Sequence, residues 1–331
     1  MKRRRLLASL PVVPLLAACG KEDAQAPTPS ADQSSPSASS SPTTADIPPL
    51  VGVADGPGHG KPVKQSGSFA PGEQLVWIPA GQGHNVAGTL SIAKDAQPAP
   101  VVLMLHGDAS QRDEVANLYV DEAAALKAKG ISSLRIDFPG SGMADLGETS
   151  LDYRRMVADA QACLTWFGKQ PWVDAKKIGV LGFSRGGSVA ASLVGARPEV
   201  AALATWSGAV SNGTHEDPKN EAIANKDGHV VVDLGYRTFD YSKQWFSSIA
   251  ASTPLTDVAN YTGPILIIHG EADAVVPPSV QTAFEKGTRS RDVTRLPLPG
   301  VDHILNVLTD DKAPSRKAVQ TTADWFARKL G

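Results

Sequence analysis

Residues 178–187 read Ile-Gly-Val-Leu-Gly-Phe-Ser-Arg-Gly-Gly, an apolar run that leads into a serine between two glycines. The run predicts a buried strand, and the following residues, from about Gly186 to Gly195, predict a helix. A serine at so sharp a turn has a strained backbone, so the residues two positions before and after it must be small. Gly182 and Gly186 meet this requirement. The G-x-S-x-G pattern in this context predicts that Ser184 is a nucleophile raised above the sheet.

The segments on either side alternate between short apolar runs and helical patterns, which is typical of a parallel sheet covered by helices. Val101–Leu105 is apolar throughout, as expected for a strand buried on both faces. Further strands are predicted at 74–78, 85–93, 132–137, 201–206, 265–268 and 293–298, and further helices at 113–129, 151–167 and 313–329. The first two of these strands are expected to be antiparallel. The expected fold class is α/β, with a mostly parallel central sheet flanked by helices.

One interval, about 209–260, is too long for a simple crossover and is rich in aromatic residues. Long insertions in compact domains are usually functional or disordered, and the aromatic content argues against disorder. We therefore expect a small cap over the ends of the strands.

The N-terminus has the layout of an export signal, with basic residues from Lys2 to Arg5 followed by a mostly apolar stretch from Leu6 to Ala18. Residues 16–19 resemble a bacterial lipobox. We therefore expect a lipoprotein-type signal peptide at 1–18, lipidation of Cys19, and an exported protein anchored to a bacterial membrane on its periplasmic or cell-surface side. A plain signal with an incidental Cys19 and a twin-arginine signal are the alternatives.

The segment after this cysteine is rich in Ser, Pro, Ala and Thr, a composition that buries too little apolar surface to fold. We expect a disordered tether at 19–65 and a catalytic domain at 66–331. The whole chain is 42% hydrophobic, 20% charged and has a net charge of -2, and beyond Lys2 to Arg5 no run of like charge resembles a nucleic-acid-binding footprint. Cys163 lies in a predicted helix and is expected to be a buried, inert thiol, so no disulfide framework is predicted.

A serine nucleophile needs a histidine to accept its proton and a carboxylate to orient that histidine. In the order Ser, acid, His that goes with this elbow, both partners follow Ser184. His303 lies in a loop between the last predicted strand and the final helix, where it can reach the strand ends. The other downstream histidines are less suitable, because two belong to the insertion and one ends a strand: His215, His229 and His269.

The predicted acid is Asp273, which follows the strand at 265–268. Glu271 is the main alternative and Asp302 a more distant one. The negative charge that develops on the substrate needs two N–H donors, and the predicted donors are the backbone amides of Arg185 and Asp108. His106, which precedes the serine in sequence, is expected to hold the loop through a hydrogen bond rather than act as a base.

Across 66–331 the sequence resembles the α/β-hydrolase superfamily and, more narrowly, bacterial cinnamoyl and feruloyl esterases and related serine esterases and peptidases. The matching pieces are His106-Gly107-Asp108, the segments 137–142, 182–187 and 263–270, and Asp273 and His303. The resemblance implies that the cap covers an aromatic acyl pocket. In those esterases an apolar residue usually follows the first His-Gly. Asp108 stands there in this chain, and an acidic side chain near the oxyanion disfavours anionic substrates unless it turns away.

The ordered triad predicts two-step hydrolysis of a small-molecule carboxylic ester with no cofactor or metal, and the aromatic-containing cap predicts a preference for short or aromatic acyl groups. A serine peptidase of the prolyl-oligopeptidase-like or aminopeptidase kind is the first alternative, and charged anchors in the cap would favour it. A non-catalytic surface binding protein on a hydrolase fold is the second. No nucleic-acid partner is expected, and the sequence predicts no oligomeric state.

Overall fold

The structure, a computed structural model, describes residues 50–58, 69–81, 83–93, 98–214 and 217–331. The predicted signal segment 1–18, Cys19, most of the predicted tether and His215 lie outside these residues. Within the described ranges, no helix combines the length and the apolar character needed to cross a membrane.

Ten strands are present in the described part of the chain. They are β1 (Glu73–Pro79), β2 (Asn85–Ser91), β3 (Ala99–Leu105), β4 (Ser132–Ile136), β5 (Val173–Phe183), β6 (Ala202–Trp206), β7 (His229–Asp233), β8 (Thr238–Ser242), β9 (Ile265–Gly270) and β10 (Val293–Leu298). Eight of them form one sheet in the order β1-β2-β4-β3-β5-β6-β9-β10, and β7 and β8 form a separate antiparallel hairpin. In the large sheet β1 and β2 are antiparallel and all later strands are parallel.

The helices of the same residues are α1 (Leu118–Ala128), α2 (Tyr153–Phe167), α3 (Arg185–Ala196), α4 (Pro218–Asp227), α5 (Lys243–Ala250), α6 (Pro254–Asp257), α7 (Pro278–Gly287) and α8 (Ala313–Leu330). The predicted α/β class is confirmed. Helix α7 lies where the sequence pattern predicted no helix, because only Gln281 and Phe284 of its side chains are buried and its apolar face is short.

The core consists of two apolar layers, one on each face of the sheet. All five residues of Val101–Leu105 are fully buried, and successive side chains of a strand point to opposite faces. Val101, Leu103 and Leu105 therefore join the layer with α2 and α3, whereas Val102 and Met104 join the layer with α1 and α8. Cys163 belongs to the first layer, where burial raises the pKa of its thiol and keeps it in the unreactive form.

The predicted boundary of the tether is wrong for residues 50–58, which lie on the folded domain. Trp166 Nε1 and Gln170 Nε2 donate hydrogen bonds of 2.8 and 2.7 Å to the Val51 carbonyl oxygen. The Val51 N–H in turn donates to Gln170 Oε1 at 3.0 Å. Composition did not reveal this contact, because it uses backbone groups of the segment and side chains from the end of α2 and the turn after it.

The insertion between β6 and β9 contains α4, the β7–β8 hairpin and α5, followed by the short helix α6. A cluster of buried aromatic rings joins the hairpin to α5, with Tyr241 4.6 Å from Phe239 and 5.6 Å from Trp245 between ring centroids. Helix α6 lies against α3 instead, where a Cβ atom at Gly195 would be 2.3 Å from the Asp257 carbonyl oxygen. The part of the insertion that lies beside the strand ends thus finishes with α5.

Candidate active site

Ser184 occupies the turn between β5 and α3 with φ 50° and ψ -117°, a conformation that L-residues rarely adopt. The neighbouring glycines leave no space for a side chain. A Cβ atom at Gly182 would lie 2.3 Å from the Gly186 carbonyl oxygen, and one at Gly186 would lie 1.9 Å from the Leu105 carbonyl oxygen. The small residues of the motif are therefore needed for close approach of the backbone, as the sequence pattern indicated.

The structure brings Ser184, His303 and Asp273 together in one chain of hydrogen bonds. His303 Nε2 lies 2.9 Å from Ser184 Oγ, and His303 Nδ1 lies 2.8 Å from Asp273 Oδ2. The other oxygen, Asp273 Oδ1, accepts hydrogen bonds of 2.8 Å from the N–H groups of Val275 and Val276. Because a carboxylate accepts only, the Nδ1 atom carries the proton of the neutral ring. The Nε2 atom is then free to accept the proton of the serine hydroxyl.

Asp273 and His303 come from the loops after β9 and β10, the carboxyl ends of two adjacent parallel strands. The backbones of the two loops are in direct contact, since the Ala272 N–H donates to the Val301 carbonyl oxygen at 3.0 Å. A Cβ atom at Gly270 would lie 2.2 Å from that same carbonyl oxygen. The separation between carboxylate and imidazole is thus determined by the backbone.

The alternative residues have other positions. Glu271 is exposed, and Asp302 exchanges hydrogen bonds with Asn306 within the His303 loop. His229 pairs with Asp240 across the β7–β8 hairpin, 2.6 Å apart. His269 Nε2 lies 3.6 Å from Asp273 Oδ2, and burial lowers the pKa of this second imidazole, which favours its neutral form.

The segment that follows β3, residues 106–111, is called the oxyanion loop below. A Cβ atom at Gly107 would lie 3.3 Å from Ser184 Cβ, so the loop is adjacent to the nucleophile. His106 Nδ1 lies 2.7 Å from the Gly107 carbonyl oxygen, and its Nε2 accepts the Phe138 N–H at 3.0 Å. Burial lowers the pKa of His106, and the neutral ring is the form that both hydrogen bonds require. Both ring nitrogens of His106 therefore bond to backbone groups, so His106 holds the loop and does not act as the base for Ser184.

Both predicted oxyanion donors are close to the nucleophile. Arg185 is the first residue of α3, and N–H groups in the first turn of a helix point out of its end. Asp108 lines the same cavity as Ser184.

The side chain of Asp108 turns toward the cap, where Asp108 Oδ2 accepts a hydrogen bond of 3.1 Å from the Tyr241 hydroxyl. Tyr236 donates to the Asp108 carbonyl oxygen at 3.2 Å, and Arg237 Nη1 to that of Ala109 at 3.3 Å.

A cavity of about 620 Å³ opens above Ser184 between the oxyanion loop, the cap and the His303 loop. Most of its wall is apolar, contributed by Val115, Phe183, Val232, Leu234, Val275, Ile304 and Leu308. Two cap carboxylates, Asp217 and Asp233, also line it. Within the described ranges, no cluster of three or more His, Cys, Asp or Glu residues is suited to hold a metal ion.

Sequence reasoning missed Glu114, which lines this cavity and is 5% exposed. Its carboxylate accepts hydrogen bonds from the Gly107 N–H and, at 2.9 Å, from the Val115 N–H. A buried carboxylate seven residues after a His-Gly pair has no local pattern that distinguishes it from a surface residue. The one feature of the sequence that could have drawn attention to Glu114 is its position in a loop that was expected to approach the nucleophile.

A nucleophile elbow, an ordered Ser, Asp and His, and a parallel sheet that carries all three at its carboxyl edge define a serine hydrolase of the α/β-hydrolase fold. The model of the prolyl oligopeptidase family matches residues 119–331, well over half of the chain. The chain belongs to this family.

Two curated relatives carry different activities in their names. The chain is 24% identical over 234 residues to acylamino-acid-releasing enzyme 2 of Oryza sativa subsp. japonica, covering 66% of this chain and 29% of the relative. It is 32% identical over 112 residues to the esterase FrsA of Vibrio cholerae, covering 34% of this chain and 26% of the relative. The matched region thus spans less than a third of either relative's length.

Solved structures show the same fold at low sequence identity. Est1E of Butyrivibrio proteoclasticus, solved with ferulic acid bound, has a TM-score of 0.64 and 20% identity and covers 77% of this chain and 98% of its own. The α/β hydrolase GrgF of Penicillium sp. sh18 has a TM-score of 0.66 and 19% identity, over 78% and 99% of the two chains. The predicted resemblance to α/β-hydrolase esterases is confirmed at the level of fold.

Proposed function

We propose that the protein hydrolyses carboxylic esters with short or aromatic acyl groups, through an acyl-enzyme formed on Ser184. The observation that carries this proposal is the hydrogen-bonded chain from Ser184 through His303 to Asp273 at the floor of a largely apolar cavity. Apolar walls suit an uncharged acyl group, and the bound ferulic acid of the similarly folded Est1E supports an aromatic one.

The first half of the reaction forms the acyl-enzyme. Ser184 Oγ attacks the carbonyl carbon while His303 Nε2 accepts the hydroxyl proton, and the carbonyl oxygen becomes an oxyanion. The backbone N–H groups of Arg185 and Asp108 donate to that oxyanion, each contributing about 3 to 4 kcal/mol to transition-state stabilisation. The carbon–oxygen bond to the leaving alcohol then breaks, and His303 returns the proton to that alcohol.

The second half releases the acid. A water molecule attacks the acyl carbon as His303 takes its proton, a second tetrahedral oxyanion forms in the same place, and the bond to Ser184 Oγ breaks as the serine recovers its proton. Asp273 keeps the His303 ring in the required tautomer and stabilises the imidazolium formed in each half. The chemistry uses only these residues and water.

A second candidate, hydrolysis of aminoacyl or peptidyl amides, is favoured by Asp217 and Asp233. Each carboxylate holds a backbone N–H through Oδ1, from Lys219 and Gly235 respectively at 2.8 Å. Both line the cavity from the cap, where their negative charge is suited to a substrate ammonium group. Membership of the prolyl oligopeptidase family and the name of the rice relative agree with this candidate.

Substrate screening separates the two candidates. Purified protein is offered p-nitrophenyl esters of graded acyl length, aryl esters and aminoacyl p-nitroanilides, and kcat/KM is measured for each. We expect the highest values for short or aromatic acyl esters and a loss of at least about 10³-fold in Ser184→Ala. The matched control is Ser290→Ala, which changes a serine at the opposite end of β10 from His303 and is expected to leave kcat/KM unchanged. A best substrate among the aminoacyl amides would reverse the order of the candidates.

We also propose that Cys19 is lipidated and that the protein acts outside the cytoplasm, attached to a membrane. The support is the lipobox-like sequence before Cys19. Cys19→Ser in the producing bacterium is expected to move the protein from the membrane fraction to the soluble fraction and to abolish incorporation of labelled palmitate. Unchanged fractionation and labelling would reject this proposal.

A further inference from the structure

The segment from Ala109 to Asn117 has a backbone that its residues do not favour. Ala109, Glu114, Ala116 and Asn117 have φ values of 49°, 60°, 49° and 63°. For Ala109, Glu114 and Ala116 such a backbone is strained, and it persists only where the surroundings hold it. Half of the eight non-glycine residues with positive φ among those the structure describes are therefore concentrated in nine positions beside the nucleophile.

Glu114 supplies three of the contacts that hold this segment, alongside the Arg112 N–H, which donates to Asp137 Oδ1 at 2.8 Å. Its carboxylate accepts hydrogen bonds from the Gly107 N–H, the Val115 N–H at 2.9 Å and the Ser110 hydroxyl at 3.0 Å. Hydrogen bonds to a charged acceptor are about twice as strong as neutral ones. A Cβ atom at Gly107 would lie 3.3 Å from both Glu114 Oε1 and Ser184 Cβ, so the carboxylate and the nucleophile flank the same glycine.

The orientation of the Asp108 N–H depends on how Gly107 is held. Glycine rotates freely about φ and ψ, so the peptide planes before and after it each need a contact. Glu114 binds the N–H of the first plane, and His106 Nδ1 lies 2.7 Å from the carbonyl oxygen of the second. In a planar trans peptide the C=O and N–H point in opposite directions, so holding the Gly107 carbonyl directs the Asp108 N–H away from His106.

We propose that Glu114 is a positioning residue of the oxyanion site, which fixes Gly107 so that the Asp108 N–H points at the developing oxyanion. The inference rests on the proposed function, since it assigns a role within the same reaction. Glu114 acts through Gly107 and touches no reacting atom. Its contribution therefore appears in the transition state, where the negative charge exists, and hardly in binding of the neutral substrate.

The test is Glu114→Gln, which keeps the size of the side chain but has one oxygen acceptor in place of two. Two quantities are measured: the second-order rate constant for labelling of Ser184 by a fluorophosphonate, and kcat and KM for p-nitrophenyl butyrate. We expect the labelling rate and kcat to fall about 10- to 100-fold, with KM changed less than about threefold. The control is Glu271→Gln, the same change at an exposed site on the Asp273 loop, and it is expected to match wild type.

Labelling at the wild-type rate by folded Glu114→Gln would overturn the proposal, as would a loss explained by a higher KM alone. If that variant does not fold, Glu114→Asp carries the test, because its shorter side chain keeps the charge but not the reach. We expect Glu114→Asp to label at least about fivefold more slowly, and the wild-type rate would overturn the proposal. A wild-type protein that is labelled but cleaves no ester would reject the ester proposal, while the labelling comparison would still decide the role of Glu114.

Discussion

His303 and Asp273 reach the cavity from loops whose backbones are hydrogen-bonded to each other, whereas the oxyanion loop opposite them is held mainly by side chains. On the first side, the Glu271 and Ala272 N–H groups donate to the carbonyl oxygens of Leu298 and Val301. These contacts continue the pairing of β9 with β10. The spacing of acid and base is therefore a property of the sheet and changes little when one side chain is replaced.

The other side depends on individual residues, several of them from the cap. Tyr241, Tyr236 and Arg237 all belong to or border the β7–β8 hairpin, and all donate to the oxyanion loop. Arg237 also pairs with Glu148, which joins the hairpin to the body of the domain. The backbone of the oxyanion loop is thus coupled to the position of the cap, and we expect single substitutions there to alter the proposed stabilisation of the transition state.

The largest effect is expected for a substitution that changes the chemistry of the Asp273 side chain but leaves the conformation of its loop unchanged. Asp273→Asn keeps the shape of the acid but places an amide against His303 Nδ1, which favours the wrong tautomer. We expect kcat to fall about 10³- to 10⁴-fold with little change in KM or in Tm. Steady-state kinetics and thermal unfolding check this. Asp302→Asn is the control, and an equal loss in that variant would mean that the loop conformation, not the Asp273 charge, is responsible.

An intermediate effect is expected on the side held by the cap. Tyr241→Phe removes the hydrogen bond to Asp108 Oδ2, a contact with a charged group that contributes about 1.5 to 3 kcal/mol. We expect kcat to fall about three- to tenfold, because part of this energy orients the loop and the rest stabilises the fold. Tyr236→Phe removes a weaker contact from a side chain that is 55% exposed and is expected to cost less. Equal kcat in wild type and Tyr241→Phe would show that the cap does not hold the loop.

The smallest effect is expected for the cap carboxylates. In Asp217→Asn/Asp233→Asn, the ratio of kcat/KM for alanine p-nitroanilide to that for its N-acetylated form is expected to fall about two- to fivefold, since partly exposed charges interact weakly. The change is expected to shrink at high salt. The control is Asp227→Asn, at the last residue of α4, the helix that Asp217 precedes; Asp227 does not line the cavity. A ratio that does not move would remove the support for amine-bearing substrates.

The same contrast explains what the sequence could predict. The elbow at Ser184 and the strand ends that carry Asp273 and His303 follow from local patterns and from the parallel arrangement of strands. Their positions in the structure match the sequence-based expectation closely. The direction of the Asp108 side chain depends on Tyr241, which is 133 residues away in sequence and whose placement requires the packed cap.

Two other features could not be predicted from local sequence patterns, for related reasons. The role of Glu114 depends on the conformation of the loop backbone, because its partners are N–H groups and a hydroxyl. No sequence motif marks a carboxylate with such partners. Residues 50–58 have the composition of a linker, yet their backbone is held by Trp166 and Gln170. Composition measures how much apolar surface a segment can bury, and it is silent on the hydrogen bonds that other elements offer.

The place where residues 50–58 meet the domain has a geometric consequence. Trp166 lies in the last turn of α2 and Gln170 lies between α2 and the start of β5, and Ser184 follows the far end of that strand. Val51 is therefore bound at the amino edge of the sheet, whereas the cavity opens at the carboxyl edge. The described chain therefore enters the domain at Leu50 on the side of the sheet opposite the mouth of the cavity, so that this entry leaves the approach to Ser184 uncovered.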